Sequence, residues 1–158
     1  MFGRVPLHNI RSLDDVVTFV GNDDPGNVVI FDVDNTLVPQ GVSLEEFGVS
    51  VNGAIDRFET IPGVLRVIAL TNGPERGVPR MVSRGNKPWT TRRRLGLRGV
   101  HKPIIVVGDQ LLTDGLLAWR LGATHLHLVI DSGHEASRQV VMRQFGRLVE
   151  RCFFRTAT

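Results

Sequence analysis

The chain has one cysteine and no tyrosine, and its only lysines are Lys87 and Lys102. A single thiol, Cys152, excludes an internal disulfide and fits a reducing cytosol. No histidine or asparagine pattern accompanies it, so Cys152 reads as a packing residue. No apolar run approaches the ~20 residues that a membrane-spanning helix needs. Pro6, His8, Asn9 and Arg11 break up the N-terminus, where a signal sequence would be continuously apolar. A cytoplasmic location follows as the expectation, at most peripheral at the inner membrane face. Tandem repeats, low-complexity tracts and linkers are all missing. Because arginine supplies nearly all the positive charge, each lysine stands out.

What is present describes a globular chain. With 158 residues, 42% hydrophobic and 22% charged, there is room for one proper core. Disordered chains are poorer in apolar residues and more strongly charged than this one, whose net charge is +3. One domain over 1–158 is expected, with its core at about 26–132 and a C-terminal helix at about 134–154.

The most informative stretch is Val28-Val29-Ile30-Phe31-Asp32-Val33-Asp34-Asn35-Thr36-Leu37-Val38. Its apolar start, rich in β-branched residues, reads as a strand buried on both faces, as in parallel sheets. The run ends on Asp32, and Asp34 follows two positions later. A continuing strand would aim both carboxylates one way, where they repel unless a cation sits between them. In open α/β sheets, ligands gather at the carboxyl ends of strands. Asp-Asn-Thr is also ordinary turn chemistry, so the stretch needs support from elsewhere in the chain.

That support is downstream, in Leu70-Thr71-Asn72-Gly73, Asn86-Lys87-Pro88 and Val106-Val107-Gly108-Asp109-Gln110-Leu111-Leu112-Thr113-Asp114. Together with Asp32-Val33-Asp34-Asn35-Thr36, these resemble in order and spacing the four motifs of the haloacid dehalogenase superfamily of phosphohydrolases. The wording of the last motif is similar to the bacterial YqeG and mitochondrial phosphatidylglycerophosphate phosphatase branch. The resemblance runs from about Val28 to the C-terminal helix. It implies a single-domain three-layer α/β/α sandwich on a parallel, Rossmann-like sheet. Roughly forty residues separate Asp32 from Thr71 and about sixteen separate Thr71 from Lys87. Neither gap holds a lid domain of ~50 residues, so an open site without a cap is expected.

The resemblance also implies roles. Asp32 would be the nucleophile that forms an aspartyl-phosphate. Asp34 would protonate the leaving alcohol and later activate water. Thr71 and Asn72 would donate to phosphoryl oxygens, and Lys87 would neutralise phosphate and nucleophile together. Mg2+ would be held by Asp32, the backbone carbonyl of Asp34, and Asp109, with Asp114 gripping a metal-bound water. Lys102 competes with Lys87, but it precedes the third motif strand and falls at the wrong end, about 17–20 Å away. The substrate would be a phosphorylated small molecule or a phospholipid headgroup such as phosphatidylglycerophosphate. The alternatives are a soluble sugar-phosphate or nucleotide phosphatase and a non-catalytic RNA- or protein-binding module. Nucleic acid is disfavoured, because no aromatics interleave the basic runs.

Elsewhere, local signals predict helices at 12–20, at 43–58 with a Ser43 capping box, at 74–80, at 88–95, and from Thr113 or Asp114 to Leu121. Short strands are expected at 65–70, 81–83 and 104–107. A half-exposed edge strand is expected at 124–130, carrying His125 and His127 without a metal. Asn22-Asp23-Asp24-Pro25-Gly26 reads as a turn. Arg92-Arg93-Arg94 reads as a solvated face or a basic rim for an anionic substrate. On the C-terminal helix, Arg143, Arg147, Arg151 and Arg155 recur every four residues beside Phe145, Phe153 and Phe154. Such a stripe suits either a solvated helix face or peripheral contact with an anionic membrane.

Overall fold

The computed structural model describes residues 3–21, 26–39, 41–129, 146 and 148–156. The elements in chain order are β1 (Val5–Ile10), α1 (Leu13–Gly21), β2 (Asn27–Asp32), α2 (Leu44–Glu59), β3 (Val64–Leu70), β4 (Met81–Val82), β5 (Ile104–Gly108), α3 (Leu116–Leu121), β6 (Thr124–Leu128) and β7 (Phe154–Thr156). A wide π-helical turn, Leu111–Gly115, leads into α3. The strands form one seven-stranded sheet in the order β4-β3-β2-β5-β6-β1-β7, and all its pairings are parallel. The expected α/β sandwich is therefore the observed fold.

Alternation along the central strands assigns the two faces. Val29, Phe31, Val67, Ala69, Ile105 and Val107 point into one core with Val16, Val20, Phe47, Val51, Ile55 and Phe58 from α1 and α2. Val28, Ile30, Ile68, Leu70, Ile104 and Val106 point into the other, beneath Leu95, Leu97, Leu117 and Leu121. Strands sandwiched this way must be apolar on both sides, which is why β2 and β5 read as continuous runs. Ser43 caps α2 through the Glu46 amide, and Glu46 returns a bond to the Ser43 amide at 3.1 Å. The stripe Phe47, Val51, Ile55, Phe58 is buried as its spacing requires.

Several expectations fail for identifiable reasons. β1 went unseen, because Pro6, His8 and Asn9 dilute it and its partners β6 and β7 are distant in sequence. β6 is consequently not an edge strand, being flanked by β5 and β1. Residues 74–80 form no helix: Gly77 adopts φ 69° and Pro79 follows. Residues 88–95 form only turns, and positive-φ Asn86, Gly96 and Gly99 punctuate the segment around them. Neither Thr113 nor Asp114 caps α3, since the wide turn starts earlier, at Leu111.

The C-terminal helix stops at 153, where the chain turns extended and pairs with β1. Arg155 lies on that strand, so the arginine stripe does not continue to it. Arg143, Phe145 and Arg147 lie outside the described residues, as does the 22–25 part of the turn. Phe154 is buried, and Phe153 packs edge-on against Trp119 at 4.7 Å. Cys152, expected to pack, is exposed.

Candidate active site

The chain visits β2, then β3 and β4 on one side, and then crosses to β5 on the other side of β2. The direction of winding thus reverses beside β2, and such a switch leaves a crevice at the carboxyl ends. Asp32 ends β2, Thr71 follows β3, and Asp109 follows β5. Three adjacent strands therefore deliver three of the sequence-predicted residues to one place.

A carboxylate oxygen from each of Asp32, Asp109 and Asp114 lies within 4.8 Å of the others. Asp114 reaches the crevice over Gly108, where a Cβ would sit 2.3 Å from its carboxylate oxygen. Any residue but glycine there would displace the acid. Lys87 enters from the loop beyond β4 and donates its ammonium to Asp32 and, at 2.7 Å, to Asp114. Lys87, Asp32 and Asp114 are all buried. The Asn72 side chain holds the Lys87 backbone from both sides, accepting from its amide at 2.6 Å and donating to its carbonyl at 3.3 Å. Asn72 thus serves the lysine with its side chain.

Asp34 sits in the turn after β2, half-exposed, and accepts from the Thr71 hydroxyl at 2.5 Å. Thr71 in turn accepts from the Gly73 amide at 2.8 Å. Asp34 also pairs with Arg76 at 2.9 Å. Arg76 had no signal in the sequence, because it lies in a segment whose local pattern suggests a helix. Lys102 is excluded from the site: its ammonium lies against Gly26, at the opposite end of β2. Of the basic triplet, Arg92 donates to the carbonyls of Val100 and Leu121, and Arg94 to that of Arg84. Two of the three therefore tie down irregular backbone, and Arg93 keeps an exposed position.

Three carboxylates here share one ammonium. Burial, with the nearby Asp114 charge, pushes the Asp32 carboxyl up to about 8 despite Lys87. Burial and Asp114 likewise raise Asp109 to about 6. For Lys87, burial favours the neutral amine, but Asp114 and Asp32 outweigh it and raise its pKa. One Asp109 oxygen is buried with no hydrogen-bond partner among the described residues. Such an excess of buried negative charge suits a hard divalent cation with oxygen ligands. Both Asp114 oxygens are already engaged, one by Lys87 and the other by the Gln110 amide at 3.3 Å. That leaves Asp109 the freer of the two acids.

No family model, curated protein or solved structure matches the chain. Geometry and chemistry therefore carry the functional reading. Among the described residues, no helix is long and apolar enough to cross a membrane.

Proposed function

We propose that the protein is a Mg2+-dependent phosphomonoester hydrolase of the haloacid dehalogenase type. One observation carries the reading. Asp32, Asp109 and Asp114 converge on a buried lysine at the carboxyl ends of adjacent strands, with Thr71 and Asp34 alongside. Phosphoryl transfer asks for an in-line nucleophile, a proton donor and positive charge around the equatorial oxygens, and this set supplies each.

In the proposed reaction an Asp32 oxygen attacks phosphorus, and the bond from phosphorus to the leaving oxygen breaks. Asp34 gives that oxygen its proton, releasing the alcohol and leaving a phosphoryl group on Asp32. Asp34, now ionised, takes a proton from water. The hydroxide attacks phosphorus, the bond to Asp32 breaks, and inorganic phosphate leaves. Lys87 stays between Asp32 and Asp114 and stabilises charge as it builds on the phosphoryl oxygens. The Asn72 backbone amide, and the Thr71 hydroxyl once the protonated Asp34 releases it, would orient those oxygens. Asp32, Asp109 and the Asp34 carbonyl would hold Mg2+, with Asp114 supporting the set from beside them. When bound, the ion would neutralise the carboxylate excess and the incoming dianion.

Among the described residues no lid domain covers the site, which admits substrates too large to enclose. Phosphatidylglycerophosphate, hence a place in phospholipid metabolism, is the proposed substrate. Peripheral membrane contact belongs to that proposal, although Phe153 and Phe154 pack inward and give it no aromatic anchor. The test is phosphate release with Mg2+ and with a chelator, on phosphatidylglycerophosphate in micelles, sugar phosphates and nucleotides. Mg2+-dependent release confirms the class, and the preferred substrate chooses between lipid and soluble esters. Folded protein that releases phosphate from none of them would instead be a binding module.

A further inference from the structure

Beside the acid cluster, a pocket of about 320 Å3 opens from Asp34 and is lined by Pro39, Gly41, Val42, Leu44, Phe47 and Arg76. Its walls come largely from the chain entering α2, and among the described residues its one cation is Arg76. The guanidinium carbon sits 4.5 Å from the Phe47 ring centre, a stacked cation–π arrangement. Arg76 spends Nη1 on Asp34 and makes no other hydrogen bond among the described residues. A planar guanidinium held by a ring keeps its remaining donors pre-set for a forked anion. Leu44 at the rim is 70% exposed, an uncovered apolar side chain at the pocket mouth.

We infer that Arg76 is a specificity-determining residue: it selects phosphomonoesters whose leaving alcohol carries a second anionic group, a phosphodiester or carboxylate, next to an apolar segment. The inference rests on the phosphatase reading, because Asp34 marks the side on which the leaving oxygen lies. The pocket begins at Asp34 and sets apolar side chains beside Arg76, so the alcohol portion of the ester extends into it. A second anion reaching Arg76 meets a stacked fork of donors, while hydrocarbon beside it meets Val42, Leu44 and Phe47. A leaving alcohol without that anion gains nothing from Arg76.

A purely positioning role for Arg76, holding Asp34 in place, makes a different prediction. It would lower kcat alike for every ester. The experiment compares wild type, Arg76→Met and Arg76→Lys on three substrates with Mg2+. These are a short-chain phosphatidylglycerophosphate, its deacylated headgroup, and glycerol 3-phosphate, which lacks the diester. Arg76→Met should lower kcat/KM about 10- to 100-fold on the first two, the range of a lost charge-assisted bond. The loss on the third, which reflects only the lost Asp34 pairing, should be at least about tenfold smaller, with Arg76→Lys in between. Equal loss on lipid and headgroup means that the anion itself is read; a loss confined to the lipid means that the acyl-bearing surface supplies the recognition and overturns the inference. So does an equal fall in kcat on all three.

Binding separates the two layers. Glycerophosphoglycerol has a diester and no monoester, so it cannot turn over. It should shift backbone amide resonances of the Phe47 and Arg76 segments in wild type and not in Arg76→Met. Wild type that hydrolyses no ester but shows this shift would end the phosphatase reading and leave the anion pocket standing. Hydrolysis of all three without the shift would end the pocket and leave the phosphatase.

Discussion

Two buried polar centres lie near each other on this sheet, and burial disfavours charge in both, but only one of them becomes neutral without leaving a counter-ion unmatched. On β6, His125 is fully buried, and its Nδ1 lies 3.0 Å from the Val106 carbonyl. Burial, together with neighbouring His127, depresses its pKa to about 3, so the ring is neutral. At the carboxyl ends of β2 and β5, burial also favours the protonated acids, yet one lysine cannot balance all three when they ionise. Three acids crowd together with one lysine, and two of them are held well above the usual carboxylate range. A buried polar group that has shed its charge is part of a core. A buried group of like charges in excess of its counter-ions is unfinished until something binds. It is the imbalance, not the burial, that marks a site.

The sharpest way to break the comparison is to remove the carboxylate proposed to attack phosphorus. Asp32→Asn should abolish phosphate release while leaving the far-UV circular dichroism unchanged. Activity above about a hundredth of wild type, with deamidation excluded by mass spectrometry, would remove Asp32 as nucleophile.

Next in size is the counter-ion. Lys87→Ala should lower kcat/KM at least ~100-fold, by comparison with the loss of one oxyanion donor. It also strips the partner from two buried carboxylates, so metal-free protein should lose ~3–5 kcal/mol in urea unfolding. Lys102→Ala, at the other end of the sheet, should stay within about threefold in rate. If Lys102 proves the more damaging position, the wrong lysine has been assigned. Asp109→Asn should follow, raising the Mg2+ concentration for half-maximal rate at least ~10-fold. A Mg2+ dependence identical to wild type would take Asp109 out of the metal site.

How much of this was legible depends on how local the cause is. Val28 to Asp32 announced itself because a strand covered on both faces has to be apolar throughout. Ser43 and Glu46 announced α2 because a capping box is a four-residue device. The convergence of Asp32, Thr71, Lys87 and Asp109 followed from a motif resemblance, and the geometry brings those residues together. What stayed hidden is set by distant partners. β1 and β7 are strands chiefly because each completes the other's hydrogen bonding beside β6. Pro6 and His8 offer no alternation that would reveal the pairing. The segment 88–95 reads as a helix, yet Asn86, Gly96 and Gly99 with positive φ around it keep the chain irregular. That irregularity is what brings Lys87 over the acids. Arg76 has meaning only once Phe47, twenty-nine positions earlier in sequence, lies beneath it.

The smallest effect tests the neutral half of the comparison. If His125 is uncharged in the folded chain, folding must exclude a proton that the unfolded chain accepts near its ordinary pKa of 6.5. A folded pKa of about 3 lies below the unfolded one, so the native state binds fewer protons between these values. The slope of unfolding free energy with pH is then positive across that window. Stability from this group is complete above pH 6.5 and drains away as pH falls, by up to ~1.4 kcal/mol per pH unit. Acids elsewhere titrate in the same range, so wild type alone cannot isolate the effect. His125→Gln keeps a side chain able to donate to the Val106 carbonyl but has no proton to gain. Urea unfolding of both proteins in chelator at pH 7, 6 and 5 provides the difference. Wild type should lose stability faster than His125→Gln, the gap changing by ~1 kcal/mol between pH 6 and 5. Parallel curves would mean that His125 takes up its proton in the fold, and the contrast between a neutral centre and a charged one would collapse.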